Sequence, residues 1–307
     1  MSRPGVRQGS RYGIMLRAAA ALSFSLMYAL MKWAATMEPV SAGEMVFYRS
    51  IFGLPVVLFW VLTSGGGLAA ISTRRPMVHV WRCALGVTGI LLIFQGLRLL
   101  PLADATTIGF TAPIFATLLS ILVLKEKVGR HRWTAVILGF VGVLVLVRPG
   151  SEGAPPLGGL LFALGGAFVA ASVTVTLRQL GKTESATAIV FWFFVACALV
   201  GGGLALMDGH SHSWTVLAVL AAGGLAGGLA QLLMTTSLQH APVSVLAPLD
   251  YLQMVGAVVL GWLLLSDAPT GATLIGAALI AGSGLYTAWR ERVLHREITP
   301  PSPSSTV

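Results

Sequence analysis

Apolar residues in this chain come in long unbroken runs rather than in alternation or in stripes. Ten can be marked, residues 14–33, 45–63, 78–97, 103–124, 133–147, 157–177, 188–207, 214–238, 243–265 and 272–289. The short segments between them hold most of the charges and prolines. Most runs approach the roughly 20 residues a helix needs to cross the hydrocarbon core. None has the period-2 alternation of a transmembrane strand, and in lipid only helices and closed barrels satisfy their own backbone. The pattern predicts an all-α membrane protein of ten transmembrane helices.

The runs also repeat. Residues 96–127 are echoed at 237–268, with Leu97 over Leu238, Pro101 over Pro242, Leu124 over Leu265 and the acid Glu126 over Asp267. A Gly/Pro-rich stretch, 148–156, joins two blocks of five runs. The expected units are therefore residues 11–150 and 156–292, followed by a Pro/Ser-rich tail, 298–307, whose composition predicts disorder. An odd number of crossings per block inserts the second block upside down relative to the first. Such a 5+5 inverted-topology repeat, with a pseudo-twofold axis in the membrane plane, is the trace of secondary transporters that work by alternating access.

Composition removes the soluble alternative. The 307 residues are 56% hydrophobic and 10% charged, with a mean hydropathy of +0.84, whereas soluble domains are roughly 25% charged. A net charge of +9 would suit a nucleic-acid partner, but its distribution follows topology instead. With the first residues in the cytoplasm, Arg3, Arg7, Arg11 and Arg17 lie inside. The inner loops add Arg74, Arg75, Arg82, Lys125, Lys127, Arg130, Arg132, Arg178, Lys182, Arg290, Arg292 and Arg296, while the outer loops receive only Arg98 and Arg148. That asymmetry is the positive-inside rule, and it predicts both termini in the cytoplasm and no nucleic-acid role. The acids Glu38, Asp104, Glu152, Asp208 and Asp267 fall on the outer side. The first run is too long for a signal-peptide core and is expected to remain as a helix. Cys83 and Cys197 fall inside predicted helices, as packing residues rather than disulfide halves.

Particular residues then narrow the class. The first half carries Phe24-Ser25-Leu26-Met27, Lys32, Glu44-Met45-Val46-Phe47-Tyr48-Arg49-Ser50, Pro101-Leu102-Ala103-Asp104-Ala105, Phe110-Thr111-Ala112-Pro113, Lys125-Glu126-Lys127 and Gly139-Phe140-Val141-Gly142-Val143 before Arg148-Pro149-Gly150. Together with Pro248 to Tyr251, Gly261-Trp262 and Ser283-Gly284-Leu285-Tyr286 in the second half, these resemble the EamA branch of the drug/metabolite transporter superfamily over nearly the whole chain. One departure is visible: Ser266-Asp267 stands where that family usually ends its ninth helix with a Gly-Glu pair. The resemblance implies a ten-helix inner-membrane carrier of small metabolites, often an exporter, without fixing the solute. An amino acid or related amphipathic solute is the expected cargo. A lipid-carrier flippase, or an uptake or exchange carrier on the same fold, is the alternative.

Charges inside the runs are costly and tend to be functional or paired. Lys32 lies near the outer end of the first helix and either snorkels or joins Arg49 in a cationic lining for a carboxylate or phosphate. Glu44 opens the second helix, where the macrodipole favours it. Asp250 is placed about seven residues into the ninth helix with no base nearby in sequence. It is the candidate proton-coupling group, set against a structural hydrogen bond and against a helix that starts later and leaves Asp250 merely interfacial. Pro113 interrupts the fourth helix and Pro248 the ninth, which makes both hinge candidates. Around them Thr106, Thr107, Thr111, Tyr251, Gln253, Gln95 and Tyr28 are candidates for the substrate cavity, with core packing the alternative for each aromatic. The pairs Gly223/Gly227 and Gly224/Gly228 predict close helix contacts, within the molecule or across a dimer face, leaving monomer or homodimer open. No cofactor or metal centre is expected: the histidines scatter to helix ends, and His210 with His212 supplies two metal ligands without a third. No cluster of nucleophiles or paired acids suggests an enzyme.

Overall fold

The computed structural model describes residues 4–63, 67, 71–73, 76–122, 130–151, 154–180, 186–241 and 243–298. The expected tail beyond residue 298, the break at Glu126 and the inner-loop charges Arg74, Arg75, Lys125, Lys127 and Lys182 lie outside these residues. The described residues form helices α1 (Pro4–Met37), α2 (Ala42–Thr63), α3 (Pro76–Leu99), α4 (Leu102–Gly109), α5 (Ala112–Leu122), α6 (Arg130–Val147), α7 (Leu157–Leu180), α8 (Ala186–Asp208), α9 (Trp214–His240), α10 (Val243–Leu246), α11 (Tyr251–Leu265) and α12 (Gly271–Ile298), with a 3-10 turn at Ala247–Asp250. Among them, eight stretches are long and apolar enough to cross a membrane. Trp133–Val147 and Leu157–Val173 are shorter apolar helices.

Local chemistry sets the helix ends. Ser41 and Glu44 form a reciprocal capping box at the start of α2: the Glu44 N–H donates to Ser41 Oγ at 3.1 Å, and the Ser41 N–H donates to Glu44 Oε2 at 2.7 Å. Ser213 caps α9 through the Val216 N–H. At the end of α11, Ser266 takes a left-handed φ of 57° so that the Asp267 N–H can reach back to the Gly261 carbonyl at 3.1 Å. This is the closure a glycine usually makes, and it gives the Ser266-Asp267 departure a structural meaning.

Packing crosses between the halves of the chain. α1 lies along α9, α3 along α7, α2 along α8 and α9, and α6 along α12, while α1 also crosses α11 and α7 crosses α4 and α5. Glycines permit the closest approaches. A Cβ at Gly228 would meet the Gly53 carbonyl oxygen at 2.8 Å, one at Gly224 the Tyr48 carbonyl oxygen at 2.6 Å, and one at Gly227 the Met27 sulfur at 2.7 Å. The α9 glycines are thus spent on α1 and α2 inside the molecule. Gly142 and Gly276 meet reciprocally where α6 crosses α12. Met27, Met31, Met45, Phe94, Phe194 and Leu220 are fully buried in the resulting core, and Cys83 and Cys197 are free thiols buried within it.

Candidate functional site

The fourth apolar run breaks where its proline dictates. Pro113 has no N–H to offer the Gly109 carbonyl, and its ring crowds the preceding turn, so α4 stops at Gly109 and α5 begins at Ala112. Thr111 instead serves the neighbouring carbonyl at the break: its N–H and its hydroxyl both donate to Ile108 O, at 2.9 and 2.7 Å. In the ninth run the backbone tightens into the 3-10 turn that contains Pro248, and regular helix resumes at Tyr251. The two breaks meet. Phe110 of the first stacks on Tyr251 of the second, with ring centroids 5.1 Å apart and planes 30° from parallel. Phe110 and Tyr251 occupy the same register position in the repeat that sets Leu97 over Leu238.

Beside this stack lies a cavity of about 170 Å³ lined by, among others, Tyr28, Leu97, Thr106, Phe110, Ala163 and Gln253. Its walls come from α1, α3, α4, α7 and α11, hence from both halves. Tyr28 stands edge-on to Phe94 at 6.1 Å. Ser25 Oγ donates to the Gln253 carbonyl at 2.8 Å and ties α1 to α11. The surface is mostly apolar, with the phenol of Tyr28, the Gln253 amide and the Thr106 hydroxyl as the polar groups; that hydroxyl is returned to the Leu102 carbonyl at 2.7 Å. Such a lining suits a small solute with an apolar body and few hydrogen-bonding groups.

The remaining candidates lie elsewhere. Lys32 Nζ donates to the carbonyls of Arg98 and Leu100, at 3.1 and 2.8 Å, and so caps the end of α3 rather than meeting Arg49. Gln95 pairs with Arg98 at 2.9 Å. Thr107 is fully buried and Thr111 nearly so, and neither lines the cavity. Tyr251 contributes through its stack on Phe110 and lays its hydroxyl over Gly284 of α12. Asp250 is not a lone carboxylate. It ends the 3-10 turn rather than sitting inside a helix, and Arg17 of α1 grips it with two bonds, Nε to Oδ1 at 2.5 Å and Nη2 to Oδ2 at 2.7 Å. The base lies 233 residues away in sequence, which is why sequence neighbourhood gave no sign of it.

Other placements also differ from the topological reading. Arg82 belongs to α3 and is 6% exposed rather than sitting in an inner loop, and Asp104 is buried in the first turn of α4, accepting the Thr273 hydroxyl at 2.7 Å. His210 and His212 serve glutamates. The His212 ring bridges Glu38 Oε2 through Nδ1 and Glu44 Oε1 through Nε2, each at 2.9 Å, and the His210 N–H donates to Glu44 at 3.0 Å. With an ionised carboxylate at each nitrogen, both contacts are hydrogen bonds only when the ring carries two N–H groups. Bonds from Ser213 and His212 hold the Glu38 carboxyl below the usual carboxylate range.

Among the described residues, Arg49 and Arg82 are the least satisfied charges. Arg49 is 2% exposed, and in each residue Nε and Nη1 find no hydrogen-bond partner. Their guanidinium carbons lie over aromatic rings of α8: Arg49 is 4.8 Å from the centre of Phe194 and 5.6 Å from that of Phe193, and Arg82 is 4.5 Å from that of Phe193. Cation–π contacts return about 0.5–2 kcal/mol each, whereas desolvating an ion costs several kcal/mol. The rings therefore offset only part of the burial cost.

The EamA-like transporter family matches this chain twice, over residues 11–148 and 157–288. The chain belongs to the EamA-like transporter family. It is 29% identical to the riboflavin transporter of Rhizobium johnstonii over 289 residues, which cover 94% of each chain. It is 30% identical to the pseudopaline exporter of Pseudomonas aeruginosa over 87% of this chain and 93% of that one. An S-adenosylmethionine uptake transporter of Rickettsia prowazekii is 26% identical over 81% and 83%. A solved crystal structure shares the fold, with a TM-score of 0.62 at 20% identity over 95% of this chain and 99% of the other. This EamA-like chain is accordingly a multi-pass membrane protein of a transporter family.

Proposed function

We propose that this protein is a secondary carrier of a small amphipathic metabolite, such as an amino acid or a relative of one. In this reading it works by export across the cytoplasmic membrane with both termini inside. The observation that carries the proposal is the Phe110–Tyr251 stack. It joins two interrupted helices from the two halves of the chain, and its Phe110 lines a cavity to which both halves contribute. Interrupted helices in corresponding runs around a shared cavity are the arrangement inverted repeats use for alternating access, although Pro113 falls over Met254 rather than Pro248 in the register. A ten-helix 5+5 architecture accounts for the pairing of α1 with α9 and of α3 with α7 as one contact made twice. The family match over 11–148 and 157–288 supports the two units.

The relatives' names span a flavin, a metallophore and a nucleoside conjugate, so kinship supports a metabolite without choosing one. Cavity size favours the smaller end. About 170 Å³ is below the roughly 300–1,000 Å³ of sites that enclose drug-sized ligands. Pro113 and Pro248 are the hinges of this proposal, and Asp250 enters as a latch: a proton on its carboxyl would loosen the Arg17 fork and free α1 from the 3-10 turn.

Counterflow tests the function. Purified protein in liposomes preloaded with unlabelled solute should accumulate the labelled form of at least one member of a panel of amino acids, polyamines, nucleosides, organic acids and riboflavin. Absence of saturable exchange across that panel contradicts the proposal.

A further inference from the structure

Three helices converge on the two arginines. Phe193 and Phe194 of α8 wedge between α2 and α3: a Cβ at Gly53 would meet Phe194 Cε1, and one at Gly86 would meet Phe193 Cε2 at 2.8 Å and Arg82 Nη1 at 3.2 Å. The glycines let the rings seat so deeply that Arg49 from α2 and Arg82 from α3 both lie over Phe193. Arg49 lies near Tyr28 and Cys197, and Arg82 near Cys83, Cys197 and Arg49 itself, none of which carries a carboxylate. Apart from a contact between Arg82 and the Cys83 thiol, two like charges share a buried space with their Nε and Nη1 donors unused. Arg49 also lies close to Tyr28, which lines the cavity.

We infer that Arg49 and Arg82 form a binding site for the anionic group of a ligand, a carboxylate or a phosphate, held between α2, α3 and α8. This rests on the carrier reading and narrows its substrate to molecules with such a group. Guanidinium forks match the planar or tetrahedral oxygens of these anions and supply the donors now unused. In this inference the anion enters between α3 and α8. The repeat makes α3·α8 the counterpart of α2·α9, yet α2 packs along α9 through a glycine stripe while α3 meets α8 over a shorter stretch centred on Gly86 and Phe193. Withdrawal of Phe193 from between the guanidinium groups opens the site, and re-seating it returns the two charges to the rings.

The chain carries its own reporters, since its two cysteines, Cys83 and Cys197, lie beside the arginines. Purified protein in phosphatidylcholine nanodiscs is titrated with inorganic phosphate or succinate at constant ionic strength, against chloride. Thermal stability and the rate of N-ethylmaleimide labelling of the two thiols are followed together. Phosphate or succinate should raise the unfolding temperature and slow labelling in a saturable way. Arg82→Met should weaken that response about tenfold or more and leave the unliganded protein at least as stable, because it removes an unpaired buried charge. Arg49→Met should do the same.

Nanodiscs containing phosphatidylglycerol supply a second arm. Protection by that lipid alone, lost in Arg82→Met, assigns the site to a headgroup and still supports it. Equal effects of chloride and phosphate, or an Arg82→Met variant that is destabilised yet keeps its anion response, overturns the inference and leaves the arginines as ring-bound anchors. The two readings fail separately. Counterflow of an uncharged solute without any anion binding ends this inference and keeps the carrier. Anion binding without counterflow of any solute keeps the site and ends the carrier.

Discussion

Arg17 and Asp250 make a partly exposed bidentate pair, 12% and 34% exposed at the side chains, so solvent weakens it relative to a buried one. Either Arg17→Gln or Asp250→Asn should cost about 1–2 kcal/mol, and the double variant should cost less than the sum, as thermal unfolding in detergent would report. If the pair is also the proton-sensitive latch, Asp250→Asn should abolish accumulation driven by a pH gradient while leaving solute exchange intact. Unchanged gradient-driven transport would return Asp250 to structure alone. At the other end, Glu38 has a depressed carboxyl, so its contribution is present above the ordinary carboxylate range and is lost as pH falls through its lowered value. Unfolding temperature should therefore drop on acidification below about pH 4, and Glu38→Gln should flatten that part of the profile. What sequence conveyed at this scale was depth. The position of Pro113 was legible because a missing N–H acts on its own helix, whereas the partners of Asp250, Lys32 and Arg49 depend on which way each helix faces, and apolar runs with no polar stripe carry no such signal.

Among the elements, the ends and crossings make sharp predictions. Ser266 holds φ at 57°, so Ser266→Gly should stabilise the end of α11 by about 0.5–1 kcal/mol. Gly228→Ala places a Cβ 2.8 Å from the Gly53 carbonyl oxygen, a backbone atom that cannot swing away, and should cost about 1–3 kcal/mol. Gly282→Ala, with nothing within 4 Å of the new Cβ, should be neutral or stabilising by up to about 1 kcal/mol; equal losses at the two glycines would contradict the α2–α9 contact. Pro113→Ala restores an N–H for the Gly109 carbonyl and should stiffen the break. Transport rate should then fall more than solute affinity does; matched losses would make the proline a packing feature. The runs themselves were readable because lipid demands them. Their interruptions were readable only in part: Pro248 marks the ninth run, but the 3-10 turn at Ala247–Asp250 also packs on α1 and α12, which the sequence does not show.

For the whole molecule, the repeat was the strongest message in the sequence; its register sets Phe110 over Tyr251, but that register gave no sign that the two rings stack. The cavity beside that contact was less legible: Tyr28, Thr106 and Gln253 were within reach of sequence reasoning, but Leu97 and Ala163 look like any other apolar residues until α3 and α7 are seen to cross. Orientation is testable separately. In a Cys83→Ala, Cys197→Ala background, cysteines at Ser151 and Ser211 should react with an impermeant thiol reagent outside intact cells, and one at Ser72 should not; the reverse pattern would invert the assigned topology. Alternating access is tested most directly by Thr106→Cys and Gln253→Cys in that same background, each probed with the impermeant reagent in right-side-out and in inside-out vesicles. The account predicts that both positions react from both sides, that transported solute slows both reactions, and that Pro113→Ala biases them toward one side. Reactivity confined to one face under every condition, with solute making no difference, would contradict it.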